Sequence, residues 1–145
     1  MDAATAFAIS ASGLRAQRLR MDVIAANLAN AQSTRTPEGG PYRRRDVVLE
    51  AVPQNESFDD MLASGGAATE AVKVARVVAD TRPPQILFDP GHPDANAEGY
   101  VAMPNVNVVT EMVDLMSATR AYEANVTALN ATKRVLEAAL DIGRE

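Results

Sequence analysis

"VVTEMVDLMSATRAYEANVTALNATKRVLEAAL", residues 108–140, contains the strongest structural pattern of the chain. Bulky apolar side chains recur in it every seven residues, in two neighbouring rows, and eight of the ten row positions are Val, Leu, Met or Tyr. Such a repeat predicts the contact face of a long helix that packs along another helix. The two rows are Val108, Leu115, Tyr122, Leu129 and Leu136, and Met112, Thr119, Val126, Lys133 and Leu140.

The ends of this helix are marked by residues with known preferences. Pro104 breaks helices, Asn105 or Asn107 can cap the first turn, and Gly143 is well placed to end the last one. We therefore predict a helix over about 107–142, which would be roughly 54 Å long at 1.5 Å per residue. A chain of 145 residues cannot cover such a helix with a small central core, so the helix must meet another long helix.

The N-terminal segment has the same kind of repeat in a weaker form. We predict a helix from residue 1 to about 31, with Gly13 inside it at a cost of about 1 kcal/mol relative to alanine. Such a helix is marginal in isolation and needs something to pack against. Its apolar face is formed by Phe7, Leu14, Met21, Ile24 and Leu28.

The middle of the chain has a different pattern. Residues 42–52 and 71–80 are rich in β-branched side chains and predict two strands, joined by a loop over 53–70 with a short helical turn near 58–62. The prolines after Arg82 favour extended or turned backbone. The predicted fold is mainly α with a small β insert: an N-terminal part (1–38), a β-rich insert (39–104) and a C-terminal helix (105–145). Periodicity alone leaves open whether the helices form an antiparallel or inter-subunit coiled coil or a small helical bundle.

Composition limits the possible functions. The chain has no cysteine and only 4% aromatic residues, so a disulfide framework is excluded and a large self-sufficient core is not expected. The net charge of −5 is unevenly spread: residues 1–45 carry +4 and residues 46–104 carry −7, so these parts can attract one another within or between copies. The run Arg43–Arg45 is interpreted as a solvated basic edge rather than a nucleic-acid site.

Catalytic and metal-binding chemistry is poorly represented. The one local cluster, Asp89, His92 and Asp94, lacks the usual metal-ligand spacing, and we interpret it as a turn with type II geometry at Pro90–Gly91. We therefore predict no catalytic residue, no cofactor and no metal. No apolar run is long enough to span a bilayer, and the N-terminus lacks the pattern of a cleaved secretory signal, so neither membrane insertion nor a cleaved signal is expected.

Two segments resemble the flagellar rod and hook proteins, which form the axial structures of the bacterial flagellum. "ANLANAQSTRTPEGGPYRRR" (26–45) is similar to the N-terminal signature of that family. "FDPGHPDANAEGYVAMPNVNVVTEMVDLMSATRAYEANV" (88–126) and "LNATKRV" (129–135) look like the C-terminal half of a proximal-rod subunit. The resemblance implies a structural subunit that polymerises, with terminal helices that form the inner tube of the rod and fold on assembly.

The same resemblance implies partners and a location. The expected partners are further copies of the chain, other proximal-rod subunits, the distal-rod subunit, the adaptor that joins the rod to the membrane ring, and the flagellar type III export apparatus. The expected location is the periplasmic span of the basal body, reached without a cleaved signal peptide.

We predict that the subunit interface is formed by the two apolar faces and by two asparagines near the end of the first helix. The amides of Asn27 and Asn30 would bond to adjacent subunits; alternatively, Asn30 only ends the helix and Asn27 faces solvent. Other functions remain open: an adaptor module that binds a partner through its long C-terminal helix, and an enzyme using Asp89, His92 and Asp94. The predicted interface residues are Phe7, Leu14, Met21, Ile24, Asn27, Leu28, Asn30, Val108, Met112, Leu115, Tyr122, Val126, Leu129, Leu136 and Leu140.

Overall fold

A computed structural model describes residues 3–53 and 70–142 of the chain. One long helix lies near each end of the chain, and two small antiparallel sheets lie between them in the sequence. This order confirms the mainly α architecture with a small β insert. The predicted loop over 53–70, its helical turn and the helix end at Gly143 lie outside the described residues. The elements are α1 (Ala3–Ala29), β1 (Arg45–Pro53), β2 (Glu70–Ala79), β3 (Gln85–Phe88), β4 (Tyr100–Met103) and α2 (Val108–Ile142).

The two helices pack side by side and antiparallel. The Oγ1 of Thr119 lies 3.6 Å from the Sδ of Met21, and nearer the start of α1, Gly13 faces Asn125. The end of α1 therefore lies beside the start of α2. Because α1 has 27 residues and α2 has 35, the C-terminal part of α2 has no full-length counterpart in α1.

The first turn of α2 is capped as the sequence predicts. The backbone N–H of Thr110 donates to the Oδ1 of Asn107 at 3.1 Å, and the N–H of Glu111 donates to the carbonyl of Asn107 at 3.0 Å. Asn107 rather than Asn105 is thus the cap, and it fixes where the long helix begins.

Strands β1 and β2 form a hairpin that packs on α1. Their register runs from the pair Arg45–Ala79 to the pair Pro53–Glu70, with a shift between Val48 and Leu49. The hairpin is joined to α1 through Ser12, whose hydroxyl accepts the N–H of Val72 at 3.1 Å and donates to the carbonyl of Ile9 at 2.7 Å. Both predicted strands are confirmed; β1 begins three residues later than predicted because the N–H of Tyr42 bonds to Ser33 in the connection from α1.

Strands β3 and β4 form a second hairpin that the sequence did not predict. Their register runs from the pair Gln85 and Met103 to the pair Phe88 and Tyr100. The centroids of the Phe88 and Tyr100 rings lie 5.2 Å apart in an edge-to-face arrangement. Each strand has four residues between prolines, too short a run for the period-two pattern to be recognised. Gly99 follows the turn with φ +83°, where a Cβ would lie 3.0 Å from the Phe88 ring.

The turn between β3 and β4 corrects one prediction. The N–H of His92 donates to the carbonyl of Asp89 at 3.2 Å, which closes a β-turn over Pro90 and Gly91. A type II turn requires a positive φ at Gly91, and the positive φ angles of the described chain lie at Gly39, Gly40 and Gly99 instead. The turn is held by the Asp89 carboxylate, which accepts the Gly91 N–H at 3.2 Å.

The buried apolar set of the described residues is small. It consists mostly of alanine and valine, which each bury little area, so packing within one chain supplies limited hydrophobic stabilisation. Its members are Ala16, Ile24, Ala71, Val101, Val106 and Ala118.

The close approach of the helices at Gly13 gives a direct test of their pairing. A Cβ on Gly13 would lie 3.1 Å from the Cγ of Asn125, close enough for a disulfide between cysteines at these positions. Because the chain has no cysteine of its own, Gly13→Cys with Asn125→Cys should form one cross-link on oxidation, within a single chain. Non-reducing electrophoresis should show the cross-linked chain at monomer mass, and neither thiol should then react with a maleimide reagent.

A matched pair, Gly13→Cys with Ala139→Cys, places the second thiol fourteen residues further along α2, roughly 21 Å away at the helical rise. It should leave both thiols reactive. Cross-linked dimers from the first pair would contradict pairing of α1 and α2 within one chain.

Candidate assembly interface

A polar joint holds the end of α1, the start of β1 and the first turn of α2 together. It consists of the side chains of Asn27, Tyr42, Arg44 and Glu111, with the backbone of Arg45. The Nδ2 of Asn27 donates to the Arg45 carbonyl at 2.8 Å and to the Oε2 of Glu111 at 3.0 Å. Its Oδ1 accepts the Tyr42 hydroxyl at 3.0 Å and the Arg45 N–H at 2.9 Å. Two donors and two acceptors are the full capacity of an asparagine amide, and all are used.

The other half of the joint is an ion pair between Arg44 and Glu111. Glu111 is 1% exposed although it is charged, and the Nε of Arg44 donates to its Oε1 at 2.5 Å. Arg44 also donates to Asp46 at 3.1 Å. A buried carboxylate is tolerated only when it is paired and hydrogen-bonded, and here Arg44 and Asn27 provide both.

The electrostatics of the joint keep its cation charged. Burial by itself would lower the pKa of Arg44, but its hydrogen bonds to Glu111 and Asp46 outweigh that effect and raise the pKa above the ordinary value. Burial raises the pKa of the Tyr42 hydroxyl, against an opposing effect of Arg45. Tyr42 therefore stays neutral at physiological pH and can donate its proton to Asn27.

The joint changes two interpretations of the sequence. The bonds of Asn27 lie within one chain, whereas we expected them between subunits, and its side chain is buried rather than turned to solvent. The interpretation of Arg43–Arg45 as a solvated edge is wrong for Arg44, whose side chain is 17% exposed. Asn30 lies at the helix end: its Nδ2 donates to the Ala26 carbonyl at 2.9 Å and its Oδ1 accepts the Ser33 hydroxyl.

The contact face of α2 is rotated from the predicted one. Its deepest residues are Glu111 and Ala118, with the half-buried Asn125 next in the same seven-residue row. The predicted row that starts at Val108 flanks this line. Its members from Leu115 onward are half-buried, as are Thr119 and Val126 of the other row. The sequence missed the deepest line because two of its members are polar and the third is alanine, which apolar periodicity does not register as a contact.

This rotation turns a second set of apolar side chains of α2 outward. Val109 is 71% exposed, and its neighbours along the same side of the helix are more than half exposed. Val108 and Leu140 of the predicted rows are also exposed. The set is named the α2 stripe, and its members are Val109, Met112, Val113 and Met116.

The predicted residues of α1 lie closer to the intrachain contact. Ile24 is 5% exposed, and Phe7, Leu14, Met21 and Leu28 are half-buried. These side chains thus share their surface between the interior of the chain and its outside.

The cluster of Asp89, His92 and Asp94 is used by its own turn. The Nδ1 of His92 accepts the N–H of Asp94 at 3.0 Å. The Asp94 carboxylate accepts the Thr34 hydroxyl at 2.6 Å and pairs with Arg35 at 2.6 Å, which ties the connection after α1 to the second hairpin. Within residues 3–53 and 70–142, no group of three His, Cys, Asp or Glu side chains has the arrangement of a metal site. None of the helices in those ranges combines the length and apolarity needed to cross a membrane.

Comparison with known proteins places these features in one family. Residues 7–35 match the family model described as flagella basal body rod protein, and residues 97–142 match that of the flagellar basal body rod FlgEFG protein C-terminal region. The two matches cover most of α1, with the connection that follows it, and the whole of α2.

Full-length relatives are also similar along nearly the whole chain. The flagellar basal-body rod protein FlgC of Bacillus subtilis is 51% identical over 144 residues, covering 94% of this chain and 95% of the relative. FlgC of Escherichia coli O6:H1 is 46% identical over 138 residues, covering 95% and 96%, and FlgC of Aquifex aeolicus is 39% identical over 137 residues, covering 94% of each. With identity of this extent over both terminal helices and the insert, the chain belongs to the FlgC family of flagellar basal-body rod proteins.

Proposed function

We propose that this chain is a structural, non-enzymatic subunit of the proximal rod of the bacterial flagellar basal body. It polymerises through α1 and α2 and thereby forms part of the axial drive shaft and of the channel through which flagellar proteins are exported. The observation that carries this proposal is the α2 stripe, because a helix already packed against α1 carries a second apolar side that the described residues of the chain leave exposed.

The physical case for assembly rests on the imbalance between buried and exposed apolar groups. The buried apolar set is mostly alanine and valine, whereas methionines and valines of α2 are exposed. A chain with this distribution gains most of its hydrophobic stabilisation when other subunits cover α2. The terminal helices are therefore elements that order fully on assembly, in a coiled-coil arrangement between subunits.

The predicted interface residues divide into two groups in this proposal. Val108, Met112 and Leu140 are exposed and contact neighbouring subunits. The half-buried residues of both helices contact neighbours with their outer edges, while Asn27 contributes indirectly by setting the angle between the insert and the helix pair.

Membership of the FlgC family supports proposals for the partners and the location. We propose contacts with other copies, with proximal-rod and distal-rod subunits and with the adaptor that joins the rod to the membrane ring. Passage through the type III export apparatus, without a cleaved signal peptide, brings the chain to the periplasmic span of the basal body. A partner-binding adaptor module is the rival function, and the relatives named above give it no support.

Limited proteolysis tests the assembly role of the helices. Trypsin should cut the free chain quickly at Arg15 and Arg18 in α1 and at Arg120 and Arg134 in α2, all of which are exposed. The same bonds should resist in isolated basal bodies, where neighbours cover the helices. Fragment masses give the cleavage rate at each site, and a slowing of at least tenfold on assembly is expected. If these bonds were as resistant in the free chain as in basal bodies, the adaptor function would be favoured over that of a rod subunit.

Separate alanine substitutions of Asn27 and Asn30 test whether assembly depends on the polar joint or on the end of α1. Asn27→Ala leaves the Oε2 of Glu111 and the N–H and carbonyl of Arg45 without their amide partner, at a cost of about 1–3 kcal/mol for each buried group that stays unpaired. We expect loss of swimming and a strong decrease of the chain in isolated basal bodies. Asn30→Ala removes one exposed bond to the Ala26 carbonyl and one half-buried bond from the Ser33 hydroxyl, both at the helix end, and serves as the matched control, with near-normal swimming. If the Asn30 variant were as impaired as the Asn27 variant, the interface would lie at the helix end and not depend on the joint.

A further inference from the structure

The second hairpin carries an apolar face that residues 3–53 and 70–142, the described part of the chain, leave exposed. Side chains alternate along β3, so Ile86 and Phe88 lie on one face, and the register places Tyr100 beside Phe88 on that face. Ile86 is 64% exposed, Phe88 62% and Tyr100 42%. Val101 lies on the opposite face and is 1% exposed, so the hairpin is anchored from one side only. These three residues are named the hairpin patch.

A two-stranded hairpin with one bare face is marginal in water. The hairpin patch is therefore a surface that gains stability when a partner covers it. The α2 stripe is in the same condition at a different place on the chain, because Val109, Val113 and Met116 lie on one side of the helix and are all more than half exposed.

The hairpin patch is flanked by carboxylates, whereas the side of the α2 stripe carries one exposed cation, Arg120, beside the exposed Glu123. Residues 85–103 contain three carboxylates and no lysine or arginine, and Asp94 among them is already paired with Arg35. Asp89 and Glu98 have no cationic partner among the described residues. Arg120 lies one turn beyond Met116 on the side of the α2 stripe and is exposed, and the ion pairs of the described chain do not include it.

We propose that the hairpin patch of one copy docks on the α2 stripe of a second copy of this chain, with Glu98 and Asp89 approaching Arg120. Aromatic and aliphatic side chains of the hairpin then pack on methionines and valines of the helix, and methionine adapts well to such surfaces. This inference rests on the proposed function and identifies one contact by which copies adjoin.

The two surfaces are different, so the contact is heterologous. A heterologous contact leaves one free surface of each kind on every dimer and therefore propagates into a ring or a helix, as a rod subunit requires. A contact between two equal patches would instead stop at a dimer.

Cysteine cross-linking in isolated basal bodies tests this contact, since the chain has no cysteine of its own. The variant Phe88→Cys with Val113→Cys replaces the native chain in flagellated cells, and the isolated basal bodies are oxidised. Non-reducing electrophoresis should show bands at two and more times the monomer mass. Phe88→Cys alone, Val113→Cys alone, and Phe88→Cys with the distant exposed Ala139→Cys should stay at monomer mass.

Charge reversal provides the second arm. Arg120→Glu in the double-cysteine chain should lower the cross-linked fraction at least threefold, and adding Glu98→Arg should restore most of it. Glu98 is suitable because the hydrogen bond recorded for it involves its backbone N–H and not its carboxylate.

The possible results separate the contact from the rod assignment. Monomer mass for the double-cysteine chain, when an antibody detects that chain in the basal bodies, would overturn the contact and leave the rod assignment intact. Dimers from Phe88→Cys alone would overturn it in favour of a contact between equal patches. Absence of even the unmodified chain from basal bodies would overturn the rod assignment and this inference with it.

Discussion

The four hydrogen bonds of Asn27 are the constraint on which the rest of the structure depends. They connect three parts of the chain that are distant in sequence: the last turns of α1, the first residue of β1 and the first turn of α2. An alanine would remove all four bonds, and the Oε2 of Glu111 would lose its amide donor while Arg44 still pairs with Oε1. The joint therefore specifies one geometry between the helix pair and the insert, at the cost of burying the charge of Glu111.

That geometry also determines which side of α2 meets α1. Because Glu111 reaches Asn27 and Arg44, the line of contact continues along the same seven-residue row through Ala118 and Asn125. Gly13 of α1 faces this line so closely that a Cβ there would lie 2.9 Å from the Oδ1 of Asn125. The methionines and valines of the α2 stripe are turned outward as a consequence, so a polar interaction inside the chain creates an apolar surface outside it.

The sequence predicted what depends on repeated patterns and missed what depends on single contacts. Heptads predicted both helices to within a few residues, and Asn107 marked the start of α2, because capping and apolar periodicity are local properties. The predicted contact face of α2 differs from the observed one by one row. A glutamate is expected to be exposed, and only the structure shows that Arg44 and Asn27 bind Glu111 in the interior. The second hairpin was missed because its strands are only four residues long and lie among prolines. The cost assigned to Gly13 refers to an isolated helix and takes no account of Asn125, which faces Gly13 on the neighbouring helix.

A small core, a buried ion pair and exposed apolar faces together favour the proposed coupling of folding to assembly. The joint contributes specificity but little net stability, because the desolvation of Glu111 offsets much of its attraction to Arg44. The alanines of the core contribute modest burial, so the free energy of unfolding of one chain is small. Binding of a neighbour stabilises the folded form by mass action, by about 2.7 kcal/mol when the neighbour is present at one hundred times its dissociation constant. Within a growing rod the local concentration of neighbours is high, so a marginal chain becomes stable where it is incorporated.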